Sequence, residues 1–511
     1  MQGDADGVDA DVDASVEPGV WRYARAKRAT VIIDAADYFR HMQQAMLAAQ
    51  ERILLIGWDF DTRIHLEQGR RWYQKGRRRI YPSRLGSFIL WLSRHRKGLE
   101  IRILKWSYGA LKFFSRGSMI VDLVRWWPHK RIDFKFDTNH PVGASHHQKI
   151  VVIDNHVAVC GGIDMTTRRW DTREHLEVNP LRKRPRGKVY GPWHDATMMI
   201  EGEAASALGD LAHDRWAMAG GPELKPVSEA AQQSNAWPDK LEAQFENVEL
   251  GIARTRGEYG GQPQIDEIAA LFERQIASAK DYIYAESQYF TSRRIGQAIC
   301  ERLARDNPPE ILIVHAEHAE GWLEQQAMDH ARAELIRTLG HIDKAGRFGL
   351  YVPYTGETPI YVHAKIMIID DRLLRIGSAN MNNRSMGLDS ECDVFVDCER
   401  PGNDHCRVEV ARLRHSLLAE HCGLEIEEVP GLLARHGSMA EMIRALGTGR
   451  NRTLRRFELP ELNEVQEVLA ESSILDPETP EELFEPYAHG GIFRDGSLLG
   501  RIRSKVKKRK T

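Results

Sequence analysis

Cysteine is scarce in this sequence: six residues (160, 300, 392, 398, 406 and 422) in 511, with no Cys-x-x-Cys spacing. So sparse a set excludes a disulfide framework, and a reducing cytoplasmic interior is the expectation. Long apolar runs are missing too. The longest, such as Ile53–Trp58, are strand-sized, well short of the roughly 18–20 residues of a membrane-spanning helix. Neither charge is in excess: 71 Lys and Arg stand against 73 Asp and Glu, a formal net charge of −2. That balance excludes a protein that coats nucleic acid through overall charge. The opening residues, MQGDADGVDADVD, have neither the basic nor the apolar region of a secretory signal. No G-x-S-x-G turn and no P-loop occurs, which leaves serine hydrolases and P-loop enzymes without support.

What is present is a repeat. A helical pattern from about Ala35 to Gln50 runs into the apolar strand pattern Arg52-ILLIGWDF, and another over Ile265–Lys280 runs into Asp281-YIYAESQYF. A short β-rich run follows in each half, Glu100-IRILK and Glu310-ILIVH. The third match is the most detailed. SHHQKIVVIDNHVAVCGGIDM (145–165) aligns without gaps to YVHAKIMIIDDRLLRIGSANM (361–381), with His147/His363, Lys149/Lys365, Asp154/Asp370 and Gly161/Gly377 in register, and Arg168/Arg384 just beyond. Chance likeness of two apolar strands explains the isoleucines but not the His, Lys, Asp and Gly. The chain therefore reads as a duplicated α/β unit, two halves packed face to face about a pseudo-two-fold. The expected divisions are an acidic tail over 1–20, a first half over 21–250, a second over 251–447, and an extension over 448–511. That extension is first acidic and then basic, and its basic end (RIRSKVKKRKT) suits anionic lipid.

Each half carries His-x-Lys-x-x-x-x-Asp. On a strand, residues i and i+2 share a face, so each His points the same way as its Lys. Two such pairs around one centre fit a phosphodiester. One imidazole attacks phosphorus while the other, protonated, gives its proton to the departing alcohol, and the two ammonium groups hold the non-bridging oxygens. The chemistry needs no metal or other cofactor, since the ammonium pair supplies the charge.

The paired motifs resemble the phospholipase D superfamily. GGIDMTTRRWDTREH (161–175), PWHDATMMIEGEAA (192–205), YAESQYF (284–290) and VHAKIMIIDDRLLRIGSANMNNRSMGLDSE (362–391) are similar to its eukaryotic-type, phosphatidylcholine-hydrolysing members. The resemblance implies a bilobal α/β fold with the active site between the lobes. It implies His147 as nucleophile and His363 as general acid, a choice the near-symmetric motifs do not make by themselves. Lys149 and Lys365 become phosphate clamps. Asp154 and Asp370 belong to the catalytic signature, yet each lies an odd number of residues beyond its Lys and so reads as structural. Ser378 and Asn380, in GSAN, match a phosphate-lining element for which the first half has GGID instead. Glu391 is the expected partner of the second ring nitrogen of His363, and Asp171 or Glu174 that of His147.

The implied reaction is hydrolysis of a glycerophospholipid to phosphatidate and free headgroup alcohol, with transfer when an alcohol replaces water. The implied partners are that lipid and the membrane surface. A single chain carries both motifs, so a monomer suffices and no protein partner is required. Localisation is expected to be cytoplasmic and peripheral at a membrane. Two other reactions use the same residues: a cardiolipin-synthase-type phosphatidyl transfer and a nucleic-acid phosphodiesterase. Lesser features take blander readings. Trp193-His194-Asp195 reads as core beside the site, and Cys398, His405, Cys406, His421 and Cys422 lack zinc-site spacing. The basic stretches around Arg70–Arg79 and Arg182–Lys188 read as solvated loops.

Overall fold

The computed structural model describes residues 17–67, 81–106, 118–318 and 322–457. Most of the acidic tail, the basic stretch at Arg70–Arg79 and the chain from Glu458 onward lie outside the described residues. The first half contributes β1 (Arg22–Ile33), β2 (Arg52–Gly57), β3 (Glu100–Trp106), β4 (Ile132–Asp137), β5 (Ile150–Ile153), β6 (Val157–Gly161), β7 (Trp193–His194) and β8 (Ala196–Gly202). The second contributes β9 (Phe245–Arg256), β10 (Ile265–Asp266), β11 (Tyr282–Ser287), β12 (Glu310–His315), β13 (Phe348–Thr355), β14 (Thr358–Pro359) and β15 (Tyr361–Val362). It continues with β16 (Ile366–Ile369), β17 (Leu373–Gly377), β18 (Glu391–Asp397) and β19 (Arg452–Arg456).

Starting from the antiparallel pair β1–β9, the hydrogen-bonded order is the same in both directions. It runs β8, β6, β5, β2, β3, β4 on one side and β18, β17, β16, β11, β12, β13 on the other. The pseudo-two-fold passes between β1 and β9. In each half the three outer strands are parallel, joined by crossover helices such as Leu85–His95 and Arg293–Leu303, and the inner ones are antiparallel.

Strand alternation explains why the halves also pack face to face. Leu54 and Ile56 on β2, Ile150 and Val152 on β5, Ile366 and Ile368 on β16, and Val394 on β18 all enter one shared core. Their neighbours Ile53, Leu55, Val151 and Ile153 turn outward, onto helices Ala35–Ala48 and Leu85–His95. In the second half Ile283, Met367 and Ile369 turn onto helices Glu267–Ser278 and Arg293–Leu303. Strands apolar at every position are the sequence form of a sheet covered on both faces. The result is a bilobal α/β fold.

Three expected boundaries move. A division at 250/251 would cut β9, which pairs with β1 through residues 245–252 and with β18 through 250–255. Residues 452–456, assigned to the extension, form β19 against β13. Val20, assigned to the tail, is already buried beside helix Glu267–Ser278.

Candidate active site

The His-x-Lys segments are extended leads into β5 and β16 rather than regular strand, because their backbones bond to the opposite half. The N–H of His147 donates to the Ser390 carbonyl (2.9 Å), and that of His363 donates to the His194 carbonyl (2.7 Å). His146 bridges Ser390, and β15 pairs with β7, both in parallel. Each motif is thereby docked against the residues that open the last inner strand of the other lobe.

That docking crosses the acids over. His147 Nδ1 lies 3.0 Å from both carboxylate oxygens of Glu391 and 3.0 Å from the Ser378 carbonyl oxygen. A carbonyl only accepts, so Nδ1 carries the proton, and Nε2, without a partner among the described residues, keeps its lone pair. His363 Nδ1 lies 2.8 Å from Asp195 Oδ2, and its Nε2 is likewise without a partner among the described residues. The expectation that Glu391 serves His363 is therefore corrected: it serves His147, and Asp195 serves His363. Asp171 and Glu174 do neither. Asp171 is fully buried, accepting from His175 (3.2 Å), Arg182 (2.9 Å) and the Trp193 N–H (2.9 Å), while Glu174 is exposed on a loop. Arg182, expected in a solvated loop, is buried on Asp171.

A signal for Asp195 lay in the duplication. Asp195 and Glu391 occupy equivalent places, two residues before the partners of Gly161 and Gly377 on β8 and β18. The first half spends 34 positions between its glycine and its acid and the second only 14, and that insertion hides the match.

The two lysines sit alike. Lys149 Nζ donates to the His147 carbonyl (2.7 Å) and stands 3.5 Å from Asp164. Lys365 Nζ donates to the His363 carbonyl and stands 3.5 Å from Gln288 Oε1. Burial, with Lys149 beside it, pushes the Lys365 ammonium down to about 7, against the pull of Asp195. Burial and the lysines hold both imidazoles well below the usual histidine range. Burial raises Glu391 to about 8, opposed by Lys149 and by the hydroxyls of Ser378 (2.5 Å) and Ser385 (2.7 Å). The Ser378 hydroxyl is thus taken up by Glu391 rather than offered to a phosphate. The Asn380 Oδ1 is buried without a partner among the described residues. At the position matching Ser378 stands Gly162, where a Cβ would come within 2.1 Å of Asp195 Oδ1, so GGID is what the crossed acid requires.

Asp154 and Asp370 lie outside this site. Both sit in the hairpin turn at the far end of β5 and β16, in the left-handed region (φ 49° and 52°) that Asp tolerates. The Asp154 carboxylate accepts the N–H groups of Gln50 (2.7 Å), Glu51 (2.9 Å) and Arg52 (2.7 Å). Asp370 does the same for Lys280 (2.8 Å), Asp281 (2.9 Å) and Tyr282 (2.9 Å). Each ties the turn from helix to strand and so fixes β2 or β11 beside the motif strand.

Behind Asp195 lies a buried charge network. Asp34 Oδ1 accepts the Asp195 N–H (3.0 Å), and His194 meets Glu286 (2.7 Å) and Glu420 (2.9 Å) through its two ring nitrogens. Against the cost of burial, these carboxylates hold His194 well above the usual range, and Asp34, Asp171 and Glu420 raise His175 to about 9. Asp34, His175, His194 and Glu420, or His194, Glu286 and His421, stand close enough together to hold a metal ion. Arg173 pairs with Glu420 and Arg182 with Asp171, while His175 and His194 face Asp34, Glu286 and Glu420. Of the sequence cluster Cys398–Cys422, His421 alone joins this group, facing Glu286 at 3.0 Å.

The crossed His–acid pairs give the repeat a chemical reason that comparison with known proteins extends. The chain is 24% identical to phospholipase D1 of Saccharomyces cerevisiae over 502 residues, covering 78% of this chain and 29% of the yeast protein. It is 23% identical to phospholipase D alpha 1 of Arabidopsis thaliana, covering 55% and 49%. This chain thus spans half or less of the length of these relatives. Among solved structures, phosphatidylserine synthase from Haemophilus influenzae shares the fold, with a TM-score of 0.51 at 12% identity over 83% of this chain and 95% of that one. A family model described as "Cardiolipin synthase, PLD-like domain" matches residues 272–413. The model described as "Phospholipase D" matches residues 45–307, just over half of the sequence, and the chain belongs to the phospholipase D family.

Proposed function

We propose that this chain cleaves a glycerophospholipid of the phosphatidylcholine type to phosphatidate and free headgroup alcohol through a phosphohistidine. One observation carries the reading: two imidazoles, each oriented by an acid from the opposite half, present unpartnered Nε2 atoms beside two buried lysines. In the free site burial and the lysines keep both rings neutral. An arriving phosphodiester anion offsets that charge, and a proton is taken up on His363. His147 Nε2 attacks phosphorus, a P–N bond forms, the P–O bond to the headgroup breaks, and the His363 proton goes to the departing oxygen. Lys149 and Lys365 hold the non-bridging oxygens as their charge grows. Neutral His363 then takes a proton from water, whose oxygen displaces His147 from phosphorus. An alcohol in place of water gives the transfer product.

His147 acts as nucleophile because its proton is fixed on Nδ1 by two kinds of acceptor, which leaves Nε2 basic. Asp195, lying between the lysines and the buried network, suits a ring that changes protonation. Substrate in a bilayer requires docking at a membrane surface. Exposed Val178 and Val189, with exposed Lys183, Arg186 and Lys188 between them, offer mixed apolar and basic contact for it. Among the described residues no helix is long and apolar enough to cross a membrane. The lysine pair supplies the charge that a metal supplies in other phosphoryl transfers, so turnover should persist in EDTA.

The test is incubation with phosphatidylcholine liposomes, EDTA and a few per cent ethanol, followed by mass spectrometry. Phosphatidylethanol that disappears with His147→Ala supports a phosphatidyl-enzyme. If no lipid product forms while single-stranded DNA is cut, the nuclease reading replaces this one.

A further inference from the structure

Arg169 follows the Gly161–Met165 element, on the loop that is longer in the first half. It is 5% exposed, and among the described residues its Nε has no hydrogen-bond partner and no carboxylate stands at ion-pair distance from it. Its guanidinium lies 4.3 Å over the ring of Trp193, which is stacked on Tyr361 and tilted against His363. Other buried arginines nearby have a counter-ion, although the Nε of Arg182 also lacks a partner among the described residues. Arg182 meets Asp171 and two carbonyls, and Arg215 meets Asp137 and Gln148. A buried guanidinium without a counter-ion is costly, and a protein keeps one where an anion arrives from outside.

The electrostatics place that vacancy within the site. The charge of Arg169 helps to hold down the protonation of His363 and Lys365 and favours the ionised form of Asp195. Under the duplication, position 169 corresponds to Ser385, whose hydroxyl is engaged with Glu391. The first half thus has an unpaired cation where the second has a satisfied hydroxyl. Lys149 stands 3.5 Å from Asp164, whereas among the described residues no carboxylate stands at ion-pair distance from Lys365, whose Nζ meets the His363 carbonyl and the amide oxygen of Gln288. The deficit of negative charge is therefore on the His363 side.

We propose that Arg169 is a substrate-binding residue whose guanidinium takes a non-bridging oxygen of the phosphoryl group, as the third cation of the site beside Lys149 and Lys365. This rests on the phosphodiester reading above. Arginine offers a planar fork that lysine lacks, with parallel N–H donors matched to two oxygens of one phosphoryl group. A third cation also favours the dianionic monoester product over the monoanionic diester, so the released phosphatidate should bind tightly enough to inhibit.

The experiment is tungstate binding to the full-length protein by calorimetry at fixed low salt, beside turnover of a soluble phosphodiester. It compares wild type, Arg169→Gln, Arg169→Lys and Lys365→Ala. The expected result is tungstate binding at least about tenfold weaker in Arg169→Gln and intermediate in Arg169→Lys, with an unlowered melting temperature and kcat/KM down by about 10²-fold. Wild-type tungstate affinity in Arg169→Gln, with affinity lost in Lys365→Ala, would overturn the inference and leave the phosphodiester reading standing. No tungstate binding by any form would take both down. If Arg169→Gln does not fold, Arg169→Lys decides: weakened binding in a folded protein supports the role, and unchanged binding overturns it.

Discussion

His147 is held by Glu391, a carboxylate that also accepts two serine hydroxyls. His363 is held by Asp195, which has a glycine where the first of those hydroxyls would be and a guanidinium in its field. The backbones around them agree to the hydrogen bond: motif N–H to opposite carbonyl, lysine to histidine carbonyl, aspartate to three N–H groups. The skeleton is symmetric and the polar decoration is not. A duplicated frame thus supplies two imidazoles, each held by an acid of the opposite half, and a few substitutions give them different surroundings.

The largest expected effect separates the histidines. His147→Ala should lower turnover of any phosphodiester by at least about 10⁴-fold. His363→Ala should do so only for alkyl leaving groups, staying within about tenfold of wild type for an aryl diester, whose leaving group needs no proton. Rate loss on the aryl diester in both variants would erase the distinction. Next come the acids. Glu391→Gln should slow both substrate types by roughly 10²–10⁴-fold by disturbing the tautomer, and Asp195→Asn chiefly the alkyl type. Equal losses on both substrates in both variants would mean the acids only support the fold.

A smaller effect concerns pH. Lys365, held down to about 7, is an ammonium below that value and loses its proton above it, while Glu391, raised to about 8, gains its charge over the same range. Both changes disfavour an anion, so tungstate affinity should be highest below pH 7 and fall by up to about tenfold per unit above it. Constant affinity from pH 6 to 9 would rule this out. The smallest effect on chemistry belongs to Asp154→Ala and Asp370→Ala. Each removes three bonds to backbone N–H groups and should cost about 2–4 kcal/mol in urea unfolding, while kcat of the folded enzyme stays near wild type. A lost kcat in a stable variant would return these residues to the catalytic set.

Legibility followed the kind of constraint on each residue. Apolar strands, helix-to-strand units and the His-x-Lys motifs were readable because local spacing encodes them. β1 and β9 were not, although they join the halves. Their outer residues are charged and part-exposed, and their order comes from pairing with each other rather than from an amphipathic pattern. The partner of each imidazole was misassigned for a topological reason: the acids were sought near their own motif, whereas the motif strands dock on the opposite lobe. Arg169 gave no signal beyond its place beside Arg168, because an unpaired charge shows only when burial is known.

The crossing of the acids also has a consequence in time. Glu391 lies 244 positions beyond His147, so during synthesis the ribosome delivers the histidine long before the carboxylate that sets its tautomer. Until the second lobe has been made and has folded onto the first, the nascent chain holds an imidazole and a lysine but not the acid that orients the ring. A chain cut short before β18 lacks the acid that orients His147, so completion of the site waits on completion of the fold without any separate inhibitor.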